Sequence, residues 1–138
     1  MKIQMFQIDA FTENVFGGNP AAVCPLEKWL KPELLQKIAA ENNLPETAFF
    51  VTNSYGFDIR WFTPEIEIDL CGHATLAAAH VLFNHYGYNK KQIIFDSKSG
   101  TLKVTKKNGM LCLDFPVNKP EKISLPAQLE AALGAKPV

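Results

Sequence analysis

Apolar and polar residues alternate at the start of the chain, with Ile3, Met5 and Ile8 interleaved by Lys2, Gln4 and Gln7, which predicts a β-strand. A turn-rich stretch over 12–20 follows, and then a short apolar run over 21–24. Over 32–43 the spacing becomes helical. Pro32 suits a first turn, Leu34, Leu35 and Ile38 recur at helical intervals, and Asn42-Asn43 ends the segment. Strands are predicted over 47–51 and 57–62, the second with Asp58 and Arg60 alternating against Phe57, Ile59 and Trp61. A helix is predicted over about 73–86, and antiparallel strands over 92–95, 101–105 and 110–115. Asn108-Gly109 between the last two is a hairpin signal, because both residues tolerate the positive φ of a type I′ turn. The tail holds Pro116, Pro120, Pro126 and Pro137 around one short helical stretch, 127–133, closed by Gly134.

The second helix stands out. Ala74, Leu76, Ala77, Ala78, Ala79, Val81, Leu82 and Phe83 leave no polar stripe before Asn84, so the helix is expected to be enclosed on every side. A rod of roughly 14 residues is about 21 Å long, too short for a membrane span. Most of the rest reads as strand, and the alanines allow close approach. The expected fold is therefore α+β: a strongly curved antiparallel sheet wrapped around one central buried helix.

Composition narrows the class. The 138 residues suit one domain, and Lys+Arg and Asp+Glu balance at 14 each, which argues against nucleic acid or an anionic membrane as partner. Cys24, Cys71 and Cys112 are an odd number at wide spacing, unlike a disulfide framework or zinc knuckle. No apolar stretch reaches 18 residues and no signal-peptide pattern follows Met1, so a cytoplasmic setting is expected.

The candidate chemistry gathers near the start of the apolar helix. The free N–H groups there, at Gly72 and His73, would suit a carboxylate, and a glycine can take conformations barred to other residues. Asp69 as a helix cap is the simpler alternative. Glu46, at the mouth of an apolar strand, reads either as a solvated carboxylate or as a general base whose pKa partial burial would raise. Cys71 is either a thiolate activated by the helix start or a small buried hydrophobe. Asn19 follows two glycines in what is otherwise a surface turn. His73 and His80 lie two helical turns apart and cannot share a zinc ion; His80 is expected to be a hydrogen-bonded core residue and His85 an exposed one. No Walker loop, dinucleotide fingerprint or Gly-x-Ser-x-Gly elbow occurs, and nothing points to a cofactor.

Four stretches carry a resemblance. Phe16-Gly17-Gly18-Asn19-Pro20-Ala21-Ala22-Val23, Pro45-Glu46-Thr47-Ala48-Phe49, Arg60-Trp61-Phe62-Thr63-Pro64 and Asp69-Leu70-Cys71-Gly72-His73-Ala74-Thr75 resemble the PhzF family of phenazine-biosynthesis-like isomerases in order and spacing. The resemblance implies a fold like that of diaminopimelate epimerase, with two similar lobes, each a sheet around a helix, facing one another across the active-site cleft. It covers nearly the whole chain but only the first half of that architecture. It further implies that Glu46 is the acid/base moving a proton on the substrate's carbon skeleton, and that His73, Asn19-Pro20 and Gly72 line the cleft. The resemblance further sets Cys71 at the position where diaminopimelate epimerase has a catalytic cysteine.

The resulting expectation is one lobe over 1–116 and a connecting segment over 117–138 leading toward a second lobe. The lobe would be part of a cofactor-independent isomerase acting on a small carboxylate-bearing metabolite. Glu46 and His73 would be catalytic, and Asn19, Gly72, His73 and Cys71 would bind substrate. The alternatives are an amino-acid epimerase or racemase using Cys71, and a non-catalytic fragment. Pairing of two copies as a homodimer, or with a second lobe, would complete the cleft.

Overall fold

The computed structural model describes residues 2–117, 119–121 and 126–135. In chain order the elements are β1 (Phe6–Ala10), β2 (Asn19–Leu26), α1 (Pro32–Asn42), β3 (Glu46–Thr52), β4 (Phe57–Phe62), β5 (Glu67–Ile68), α2 (Gly72–His85), β6 (Gln92–Ser97), β7 (Gly100–Lys107), β8 (Met110–Asp114) and α3 (Ala127–Leu133). The strands form one curled sheet, ordered β1-β2-β3-β4-β6-β7-β8 with β5 beside β4, and α2 lies in its hollow. This is the α+β half-barrel around a central helix that the apolar circumference of α2 predicts.

Ala74, Ala77, Ala78 and Ala79 are no more than 1% exposed, so the sheet closes directly onto the helix where side chains are smallest. Ala21, Val23, Ala48, Phe50, Ile59, Trp61, Phe95 and Val104 line the hollow. On the outer face, Leu35 and Ala39 of α1 pack on Cys24, Phe49 and Phe62. With both faces of β3 covered, Ala48, Phe49, Phe50 and Val51 are buried in succession, which is why that strand reads as a continuous apolar run rather than an alternating one.

The expectation of an antiparallel sheet is corrected. The sheet is mixed, because β2 pairs with β3, and β4 with β6, in parallel. A helical crossover returns the chain in its original direction, and both pairs are joined that way: α1 crosses the outside and α2 the inside. The β4–β6 pairing is short, joining only Phe57 to Phe95 and Asp58 to Asp96.

The enclosure of α2 is also less complete than expected. Leu76 and Phe83 are half-buried and His80 is exposed, forming one open stripe at helical spacing. Leu76 and His80 of the stripe face a cleft of about 430 Å³ between the sheet edges β1 and β8, lined also by Ile8, Ala10, Ala77 and Leu111 among others, while Phe83 packs farther along beside Tyr88. His80 is therefore not the core histidine that the sequence predicts. Partial burial, with smaller contributions from His85 and Lys106, holds its imidazole below the usual range. His85 is exposed at the helix end, as expected.

Asn108 and Gly109 take φ of 51° and 81°, the values that the predicted hairpin turn requires. Gly18, at φ +74°, is obligatory for a second reason, since a Cβ there would stand 2.3 Å from the Ala10 carbonyl oxygen. β2 starts immediately after it, so Gly18 sets how the chain enters the strand carrying Asn19 and Pro20. The predicted tail helix is present as α3, with Gly134 left-handed at its end, and residues 128–133 are exposed. Among the described residues, no helix is long and apolar enough to cross a membrane.

Candidate active site

Three chain segments meet where α2 begins. Glu46 is the first residue of β3 and lies beside Ala21 in the parallel pairing with β2, next to Pro20. His73 is the second residue of α2, and Cys71 is its N-cap. The helix is thus aimed at the end of the sheet where β2 and β3 carry Pro20 and Glu46.

Nε2 of His73 lies 3.1 Å from Oε2 of Glu46 and 3.3 Å from the carbonyl oxygen of Pro20. Its other nitrogen, Nδ1, lies 3.4 Å from the sulfur of Cys71. His73 and Cys71 are 8% and 7% exposed, and the Glu46 side chain 19%. Oε2 of Glu46 is fully buried, yet no donor is aligned on it, because the Nε2–H bond that reaches Pro20 leaves the carboxylate off its axis. A buried acceptor without an aligned donor carries an uncompensated desolvation cost, on the order of 1–3 kcal/mol or more when charged.

Burial pushes the Cys71 thiol up to about 11; the N–H of Ala74 opposes that shift and the charge of Glu46 reinforces it. The sulfur is therefore a thiol at neutral pH, with S–H available to donate. Cys24, on the outer face, is pushed up to about 12 by burial alone.

The start of α2 has no side-chain cap. Thr75 N–H bonds to Cys71 O, which leaves the N–H groups of Gly72, His73 and Ala74 without intrahelical partners. The Asp69 side chain is 74% exposed and lies 3.9 Å from Lys98, so it does not cap the helix. Gly72 departs from expectation, since its φ is not in the left-handed region. A Cβ there would meet only Phe115 at 3.5 Å and Leu113 at 4.0 Å, ordinary contact distances. Its value is the bare backbone it presents beneath the Phe115 ring, not an unusual conformation.

Of the residues predicted for the site, the structure brings together Glu46, Cys71 and His73, with Gly72 between the last two. Asn19 enters through its neighbour Pro20, whose carbonyl faces the imidazole. That carbonyl is the partner that sequence reasoning misses; a main-chain group leaves no mark in side-chain identity. One ligand atom each from Glu46, Cys71 and His73 fall within 4.8 Å of one another, which raises the question of a metal. The imidazole, however, turns Nε2 to the carboxylate and Nδ1 to the sulfur. The three side chains are linked through the two edges of the imidazole, carboxylate on one side and sulfur on the other.

The approach to α2 is fixed by ion pairs that the sequence does not reveal. Arg60 grips Glu67 through two bonds of 2.8 Å, and Lys98 joins at 3.0 Å. The guanidinium also stacks over the Trp29 and Phe62 rings at 5.4 and 5.2 Å. Arg60 holds the Glu67 carboxyl below its usual range, against the opposing effect of partial burial, with Lys98 helping. A depressed folded-state pKa stabilises the fold above the unfolded value of about 4.3, and the contribution is lost as pH falls through the lower folded value. Glu67→Gln should therefore destabilise the chain at neutral pH, with the gap to wild type closing under strong acid. Urea unfolding at both pH values checks this, and a gap independent of pH would contradict it.

The profile of the phenazine biosynthesis-like protein family, PhzC-PhzF, matches residues 8–136. An uncharacterized isomerase of Pseudomonas aeruginosa is 49% identical over 138 residues, which is all of this chain and 53% of that protein. The crystal structure of a PhzF-family phenazine biosynthesis protein from Enterococcus faecalis superposes with a TM-score of 0.88 at 55% identity, covering 99% of this chain and 52% of that one. A hydroxyproline epimerase from Agrobacterium vitis shares the fold alone, with a TM-score of 0.59 at 9% identity, over 80% of this chain and 40% of its own. The chain spans about half the length of these relatives. It belongs to the phenazine biosynthesis-like PhzC-PhzF family.

Proposed function

We propose that this chain forms half of the active site of a cofactor-independent isomerase that moves a proton on a small carboxylate-bearing metabolite. The observation that carries the reading is the buried Oε2 of Glu46, 3.1 Å from His73 and without an aligned donor. Glu46 takes a proton from a carbon next to the substrate's carboxylate or conjugated system. The electron pair of that C–H bond stays in the conjugated system, and the same carboxyl group returns the proton to another carbon, so nothing is oxidised or reduced. The N–H of Gly72 at the start of α2 holds the substrate carboxylate, with the α2 dipole adding to the attraction. His73 steadies Glu46, and Asn19 lines the cleft.

The isomerase in name among the relatives, and the family itself, support this class of reaction. A second lobe completes the cleft in this reading, in keeping with the exposure of residues 128–133 and with the greater length of the relatives; part of the expected connecting segment, 118, 122–125 and 136–138, lies outside the described residues. A second copy of the chain is the other possible source of that surface. The reading based on Cys71 as an epimerase base is less favoured, because burial holds its thiol protonated. The test is incubation with candidate carboxylates in heavy water, using this chain and any longer polypeptide that its reading frame encodes. Deuterium at a substrate carbon supports the proposal; because one carboxyl group can return the proton it took, substrate deuterated at the labile carbon is turned over alongside, and a longer polypeptide whose product keeps that deuterium on its original carbon overturns the proposal.

A further inference from the structure

The thiol of Cys71 has no role in that scheme, yet its contact with the imidazole is specific. Nε2 of His73 faces two oxygens that only accept, the Pro20 carbonyl at 3.3 Å and the Glu46 carboxylate at 3.1 Å. A lone pair turned toward both would be repelled, so Nε2 carries the hydrogen. In a neutral ring Nδ1 is then the acceptor edge, and the group facing it at 3.4 Å is the Cys71 sulfur. Cys71 and His73 are two residues apart at the first turn of α2, so the backbone of the helix start itself holds this contact.

We propose that Cys71 is a positioning residue: its S–H donates to Nδ1 of His73 and holds the ring as a neutral imidazole with Nε2–H directed at the Pro20 carbonyl, beside the Glu46 carboxylate. The groups then run Cys71 S–H, His73, Pro20 carbonyl, with Oε2 of Glu46 3.1 Å from the same Nε2. Neutrality is the useful property. An imidazolium at this distance would compensate the carboxylate's charge and weaken it as a base, whereas a neutral ring orients it and leaves the charge available. The thiol also anchors the ring against a flip that would exchange its two edges. The functional value of this device rests on the reading of Glu46 as the base, but the hydrogen-bond chain itself does not.

Long-range proton–nitrogen NMR spectra of the isotope-labelled chain read both ring nitrogens of His73 without any substrate. The expected result is a protonated Nε2 and an unprotonated Nδ1 whose resonance shifts in Cys71→Ala and returns toward wild type in Cys71→Ser, with amide spectra showing all three folded. A protonated Nδ1 in the wild type, or an Nδ1 resonance unmoved by Cys71→Ala, overturns the proposal. In the turnover assay on the longer polypeptide, Cys71→Ser should keep proton exchange while Cys71→Ala loses it. Loss in Cys71→Ser with the NMR signature intact would make the sulfur a base instead and overturn the positioning role. If Glu46→Gln still exchanges while the NMR signature is present, the fault lies with Glu46 as base and not with the thiol.

Discussion

Glu46→Gln should slow proton exchange on the substrate by about 10²–10⁴-fold, the usual contribution of a positioned general base. Glutamine has the shape of glutamate and fits beside His73 in the same space, so the fold and the α2 start are left in place. What is removed is the ability of Oε2 to take a proton. Deuterium incorporation measures the effect directly, and circular dichroism shows whether the variant is folded. Exchange at the wild-type rate would mean that the base lies elsewhere. The carboxylate is placed by secondary structure and not by a flexible loop: it opens β3, and the Asn42 side chain bonds to Thr47 at 3.1 Å, tying the end of α1 to the strand beside it.

The largest stability loss is expected from Trp61→Ala, at about 3–5 kcal/mol by the usual cost of emptying an aromatic site. Trp61 is 1% exposed and belongs to the cluster of buried residues around α2. A domain's total stability is on the order of 5–15 kcal/mol, so this variant would be close to unfolded. Trp61→Phe should be far milder than its lost volume suggests. The indole Nε1 is buried without a hydrogen-bond partner, and its removal relieves a desolvation cost of about 1–3 kcal/mol. Urea midpoints of the three proteins check the comparison; a phenylalanine variant as weak as the alanine one would show that the indole N–H is satisfied in solution.

Much of this arrangement was readable in the order of residues, and the rest failed for identifiable reasons. The burial of α2 follows from its apolar circumference, and the hairpin from Asn108-Gly109, because each signal is local. The parallel pairings escaped because pairing direction depends on where a helix carries the chain, although the succession of apolar run, α1 and apolar run was already a crossover in outline. His80 was misplaced because one open stripe on a helix is invisible when its other members are Leu76 and Phe83, which look like core. At the site, the identity of Glu46 and His73 came from motif resemblance, and no periodicity would have brought residues so distant in sequence together. The Arg60–Glu67 grip and the Pro20 carbonyl are tertiary facts with no pattern of their own.

The brevity of the β4–β6 pairing has a consequence for motion. Everything from β1 to β5 lies on one side of that junction and β6 to β8 on the other, with two paired positions between them. Each side keeps longer ladders of its own, so the join between the halves rests on the packing of Phe57 against Phe95, both buried and 6.0 Å apart, more than on backbone bonds. Glu46 and the Pro20 carbonyl belong to the first half, and His73 stands on the helix held between both. A join made mainly by side chains would let one half shift against the other while the strands that carry the carboxylate stay intact.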